Sequence, residues 1–160
     1  MNSSKNRPSL DEYFMSVARV VATRSTCIRR AVGCVLVDGR HHVIATGYNG
    51  VPTGWAHCNQ YDEFHETGYP HACPGAFKPS GSSLGECHAI HAEQNALLQC
   101  GDVYSINTAY CTTSPCVHCV KLLLNTACRR IVYDDEYTHT DARELWERDG
   151  REWVHLPTSS

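Results

Sequence analysis

Apolar residues recur at i, i+3, i+4 and i+7 from Phe14 through Val17, Ala18 and Val21, the spacing of one helical face. Ser9, followed three residues later by Glu12, makes a capping box in front of that run, so the pattern predicts a first helix ending near Arg24. The period then changes. "AVGCVLVDGRHHVIATGYNG" holds two β-rich runs joined through Asp38-Gly39, which predicts an antiparallel hairpin. Across residues 51–86 neither period holds, and Pro, Gly, His and Ser accumulate over a stretch too long for an ordinary connection. Regularity returns with a helix over about 91–100, a strand over about 106–112 and a helix from 115 to about 126. "RRIVYDD" reads as a strand, "TDARELWERDG" as a helix ending at Gly150, and "REWVHL" as a last strand. Strands separated by helices of about ten residues imply right-handed crossovers. The expected fold class is therefore α/β, with a mixed sheet covered by helices on both faces. Without internal repeats or a linker, the 160 residues fit one domain over 1–160, carrying a Cys/His-rich insertion at about 51–88.

Charge removes some functions from consideration. A formal net charge of -3 and a pI near 6.3 provide no broad basic field for a polynucleotide, which favours a small substrate. The first eight residues are polar, and no apolar run approaches the roughly 20 residues that span a bilayer. A soluble, cytoplasmic protein with no membrane partner is expected. Ten cysteines are many for such a chain, and without a secretory signal they point to metal before disulfides. Cys34 and Cys111 in strand-like runs, and Cys100 and Cys128 at helix ends, are expected to be small buried hydrophobes.

The motif "SPCVHC" gathers two of the other cysteines. Ser114 suits an N-cap and Pro115 the first helical position, which places Cys116 in the first turn, where the helix dipole favours a thiolate. Cys119 follows one turn later on the same face. By spacing alone the pair reads as a zinc half-site, a redox dithiol or chance. A partner is available in "AIHAEQNALL", where His91 and Glu93 interrupt the start of a helix. The two helix starts flank one strand, so His91, Cys116 and Cys119 can meet as one imidazole and two thiolates, leaving a fourth tetrahedral position open as in catalytic zinc sites. His118 points away and is read as a surface group. Residues two apart on an ideal helix diverge by about 200°. His91 must therefore sit at the non-helical entry if Glu93 is to share its site, where a carboxylate can take and deliver protons.

The "HAE" motif, with Cys116 following 23 residues after its Glu, matches the signature H-x-E…P-C-x-x-C of zinc-dependent deaminases. Together with "EYFMSVARVVATRSTCIRRAVGCVLV", "ATGYNGVP", "HAEQNALLQC" and "SPCVHCVKLLL", it resembles the deoxycytidylate (dCMP) deaminase family of the cytidine deaminase-like superfamily over about residues 7–155. The resemblance implies a three-layer α-β-α fold with a mixed five-stranded sheet, and hydrolysis of dCMP to dUMP and ammonia, a precursor for thymidylate. It further implies that zinc on His91, Cys116 and Cys119 activates water toward C4 while Glu93 carries protons to N3 and the leaving amine.

In the same resemblance, Asn49 and Asn95 position the nucleotide and Tyr137 contacts it, although Asn49 equally suits a turn with positive φ. Arg24 and Ser25 suit a phosphate by charge and by their place at a helix end. Cys27, Cys58, Cys73 and Cys87 stand where bacterial-type relatives hold a second, structural zinc, with His57, His65, His71 and His88 as competitors for any position. Family members are typically homohexamers activated by dCTP with magnesium and inhibited by dTTP. The glycines of "GYNG", with Arg29 and Arg30, suit such an effector. Two alternatives share the motif: a zinc deaminase acting on RNA or single-stranded DNA, which needs an electropositive groove, and a non-enzymatic zinc module, which has no use for Glu93.

Overall fold

In a computed structural model of the chain, which describes residues 6–27, 30–55, 57, 88–137 and 141–158, the first helix α1 spans Leu10–Ala22. Ser9 caps it, its hydroxyl accepting the Glu12 N–H at 3.1 Å. The helix stops short of Arg24 because Thr23 and Arg24 donate to the Val20 and Val21 carbonyls, tightening the last turn.

Strands β1 (Gly33–Asp38) and β2 (Val43–Tyr48) form the expected antiparallel hairpin. Its tip lies at residues 38–42, where the Asp38 N–H donates to the His42 carbonyl at 3.0 Å. The Asp38 carboxylate accepts the N–H groups of Arg40 and His42, each at 2.9 Å, and so organises this loop. The left-handed backbone position falls on His41, at φ 66°.

Strands β3 (Ile106–Thr113), β4 (Arg130–Asp135) and β5 (Glu152–His155) run parallel to one another, and β1 pairs antiparallel with β3. The result is a mixed five-stranded sheet in the order β2-β1-β3-β4-β5. Helices α2 (Ala92–Gln99), α3 (Val117–Leu124) and α4 (Asp141–Arg148) are each shorter than the sequence pattern suggests.

Side-chain alternation along the strands divides the core into two layers. Leu36, Ala109, Cys111, Ile131 and Tyr133 face Ala92 and Ala96 of α2, Val120 and Leu123 of α3, and Trp146 of α4. Val35, Val37, Tyr110 and Val132 face Phe14, Met15 and Ala18 of α1. Helices thus cover both faces, as the resemblance implies. Cys34, Cys111 and Cys128 are buried in this core and Cys100 is half-buried.

Two glycines permit the closest approaches. A Cβ on Gly33 would lie 2.1 Å from the Ala18 carbonyl oxygen of α1, and one on Gly47 would lie 2.3 Å from the Ala96 nitrogen of α2. Only a bare backbone lets α2 sit this flush on β2. At the far end of α3, Arg151 donates to the carbonyls of Leu123, Leu124, Thr126 and Cys128, and its guanidinium lies 5.1 Å from the Trp146 ring centre. One guanidinium satisfies a cluster of helix-end acceptors that have no intrahelical donor.

The register collects several chain segments at one edge. Gly33 opposes Tyr48, Cys34 opposes Cys111, and Thr113 lies beside Asp135, so the start of β1 and the ends of β2, β3 and β4 coincide. A bridge between Gly50 and Ile90, bonded in both directions, brings the residues preceding α2 to this same end. Trp55 and His88, 5.3 Å apart edge to face, close the neck of the insertion there.

Candidate metal centre

His91 immediately precedes α2 with extended backbone, φ -67° and ψ 152°. Gln94 fixes this entry by accepting the His91 N–H at 2.9 Å. An extended residue at the helix entry turns its side chain off the helical spiral, which lets His91 and Glu93 serve one site. Cys116 holds the equivalent place before α3, with φ -74° and ψ 171°, and Cys119 lies one turn inside. The expectation that Ser114 caps α3 is corrected here, because Cys116 itself is the N-cap and the serine hydroxyl is engaged elsewhere.

The three side chains converge. His91 Nδ1 lies 3.4 Å from Cys116 Sγ and 3.3 Å from Cys119 Sγ, and all three ligand atoms fall within 4.8 Å of one another. A tetrahedral ion bound at about 2.05 Å to nitrogen and about 2.3 Å to sulfur would hold those atoms roughly 3.6 Å apart. The donor set therefore fits zinc in size and in softness. Among the described residues this is the one such group. His118 is exposed, as its place between the cysteines predicts.

Electrostatics at the site follow from burial and proximity. The neighbouring Cys119 thiol, helped by the imidazole, lowers Cys116 to about 3, while the Cys116 sulfur and burial push Cys119 upward. His91 is raised chiefly by its bond to Cys116. Glu93 is 4% exposed. Desolvation raises its carboxyl above the usual range, against the opposing pull of His91.

The residues expected around the nucleotide are found at the same sheet end, but several are occupied within the chain. Asn49 Oδ1 accepts the Val32 N–H at 2.8 Å and the Ser25 hydroxyl, while its Nδ2 donates to the Arg30 carbonyl at 2.7 Å. Asn49 thereby stitches the α1–β1 connection to the end of β2, and its φ is not positive. Ser25 also accepts the Cys27 N–H at 3.1 Å. Asn95 donates to the Tyr48 carbonyl at 2.8 Å, joining α2 to β2. Arg24 is exposed just past α1, and Tyr137 is half-buried just past β4.

Of the second cysteine set, Cys27 is half-buried in the α1–β1 connection. Cys58, Cys73 and Cys87 lie outside the described residues, as do Arg29, His65 and His71. The sequence reading missed the bond from the Tyr137 N–H to Ser114 Oγ, at 2.6 Å. A serine before proline at a helix start signals a cap, and nothing local reveals the other partner.

Fold and site together define a three-layer α/β domain with a histidine and two cysteines placed for a metal beside a buried carboxyl. The model of the cytidine and deoxycytidylate deaminase zinc-binding region matches residues 8–134, and the chain belongs to that family. It is 43% identical over 139 residues to a deoxycytidylate deaminase of Schizosaccharomyces pombe, covering 86% of this chain and 40% of that protein. It is 42% identical over 132 residues to one from Mycobacterium phage D29, covering 82% of this chain and 98% of that protein. The chain thus spans about two fifths of the yeast relatives, 40% and 39%, but nearly all of the phage protein. A dCMP deaminase from cyanophage S-TIM5, solved with dCMP and dUMP, superposes with a TM-score of 0.70 at 26% identity, covering 94% of this chain and 98% of the other. Among the described residues no helix is long and apolar enough to cross a membrane.

Proposed function

We propose that this chain hydrolyses dCMP to dUMP and ammonia, using zinc held by His91, Cys116 and Cys119. The observation that carries this reading is the convergence of those three donors beside the buried carboxyl of Glu93. Bound zinc supplies a Lewis acid that makes water nucleophilic near neutral pH. Glu93 takes a proton from the attacking water and gives it to N3 of the cytosine ring, then takes the proton left on the C4 oxygen and gives it to the departing amine. A carboxyl can serve in both directions, since it accepts a proton as the base and donates it as the acid. Water adds its oxygen at C4 and the C4–N bond breaks, so dCMP and water become dUMP and ammonia.

The finer assignments rest on family resemblance. Arg24, Ser25, Asn49, Asn95 and Tyr137 border the nucleotide, with Asn49 acting through the connection it stitches. Cys27 joins Cys58, Cys73 and Cys87 around a second zinc that anchors the insertion. The chain assembles as a homohexamer, activated by dCTP with magnesium near the "GYNG" segment and inhibited by dTTP. Sigmoidal kinetics becoming hyperbolic with dCTP would support that switch, and indifference to both triphosphates would remove it.

Substrate class is tested by incubating the zinc-loaded protein with dCMP, CMP, dCTP, cytidine and cytosine-containing oligonucleotides, then separating the products chromatographically. Conversion of dCMP alone or far ahead of the others is expected. Preferential conversion of an oligonucleotide would replace this reading with a polynucleotide deaminase.

A further inference from the structure

We infer that Ser114 is a positioning residue, whose hydroxyl fixes residues 135–137 as one wall of the substrate pocket by holding the Tyr137 amide. The inference rests on the dCMP reading for the identity of the substrate, and on geometry for the tether.

The β3–β4 ladder ends with Thr113 beside Asp135, and the Ser114 N–H extends it by donating to the Asp135 carbonyl at 2.8 Å. Beyond this point the two chains diverge, one into α3 and the other toward α4. A backbone N–H leaving a sheet loses its ladder partner and needs another. Ser114 Oγ provides one, accepting the Tyr137 N–H at 2.6 Å. Ser114 is only 5% exposed, and Pro115, which follows it, is fully buried with a ring-fixed φ. Cys116 comes next. The same short, rigid segment therefore carries a donor of the metal set at one end and grips the post-β4 chain at the other.

In open α/β sheets ligands sit in the crevice outside the carboxyl ends of the strands. Here that crevice lies between the segment after β3, which holds Cys116, and the segment after β4, which holds half-buried Tyr137. Ser114 sets the distance between them. A helix-capping role does not account for its hydroxyl, since α3 is capped at Cys116.

The test compares Ser114→Ala, Ser114→Thr, Tyr137→Ala and the Ser114→Ala/Tyr137→Ala double variant, all zinc-loaded. In Ser114→Ala, hydrogen exchange at residues 135–137 should quicken while zinc content holds. KM for dCMP should rise about tenfold, with kcat falling much less. Ser114→Thr, which keeps the hydroxyl, should restore most of the lost affinity. Adding Ser114→Ala to Tyr137→Ala should raise KM no further, because one residue acts through the other. Unchanged exchange at 135–137 in Ser114→Ala would overturn the tether, and additive KM effects would overturn its route through Tyr137. If Ser114→Ala does not fold, an unchanged KM in Tyr137→Ala overturns the pocket wall by itself. A wild type inert toward dCMP sinks the deaminase reading instead, and the exchange measurement still decides the tether.

Discussion

His91 Nδ1 lies 3.3 Å from Cys119 Sγ although 28 positions separate the two residues. They meet because α2 and α3 both begin at the sheet end where β2, β3 and β4 finish, one with a histidine and the other with a cysteine at its entry. The metal site is thus a product of where two helices start.

Glu93→Gln tests the proton carrier. The amide preserves size and hydrogen bonding but cannot exchange protons, so zinc content and dCMP binding should persist while kcat falls about 10²- to 10⁴-fold. Calorimetry and metal analysis on the same sample separate binding from turnover. Near-normal turnover with zinc in place would remove Glu93 from the chemistry.

Gly47→Ala tests how α2 is seated. Its new Cβ would lie 2.3 Å from the Ala96 nitrogen and 2.4 Å from the Ala92 carbonyl oxygen, backbone atoms that cannot swing aside. Moving α2 off β2 should cost about 3 kcal/mol or more and displace His91, so zinc affinity should fall with stability. Thermal melting and zinc competition titration measure both. A stable variant with unaltered zinc affinity would show that α2 is not held by this contact.

Arg151→Met keeps much of the apolar stem and removes the guanidinium that four carbonyl oxygens share. The Leu123 carbonyl keeps the Thr126 N–H and hydroxyl, but the half-buried carbonyls of Leu124, Thr126 and Cys128 lose the arginine donor, which should cost about 1 to 3 kcal/mol. Urea unfolding monitors it. A change below about 0.5 kcal/mol would mean that water replaces the arginine without loss.

Not all of this was legible in the sequence. His91, Glu93, Cys116 and Cys119 could be found because each helix entry is a local event, written in a few neighbouring residues. The partners of Asn49 and Ser114 could not. An asparagine amide or a serine hydroxyl bonds whatever the tertiary fold brings to it, and here that is Arg30, Val32 and Ser25 for one, and Tyr137 for the other. Helices on both faces were readable from the order of strands and helices, and the unbroken apolar runs of β1 and β4 fit burial on both sides. Asp38-Gly39 marked the hairpin, but not that the Asp38 carboxylate would gather the Arg40 and His42 amides or that His41 would take the left-handed position.

Asp11 gives a prediction in pH. The Arg130 guanidinium, 3.0 Å away, holds its carboxyl below the usual range, with the Tyr110 hydroxyl adding to the effect against burial. A carboxylate whose folded pKa is depressed contributes its stability above the unfolded value, near 4, and loses it as pH falls through the folded one. Asp11→Asn should therefore be less stable than wild type at pH 7 by about 0.5 to 1 kcal/mol, the scale of a screened ion pair. The gap should narrow as pH falls below the unfolded value and the carboxylate is protonated. Denaturant unfolding at pH 7 and in acid measures it, and a gap that widens in acid would reverse the assignment.

The central claim is that dCMP deamination depends on zinc at His91, Cys116 and Cys119. The most direct measurement follows dUMP and ammonia from dCMP in the purified chain, before and after chelation and again after zinc is restored, with metal content determined at each stage. The account predicts equal amounts of dUMP and ammonia, loss of turnover on stripping, and recovery with zinc in wild type but not in Cys116→Ala. Full turnover by metal-free protein, or none by the zinc-loaded chain, would contradict it.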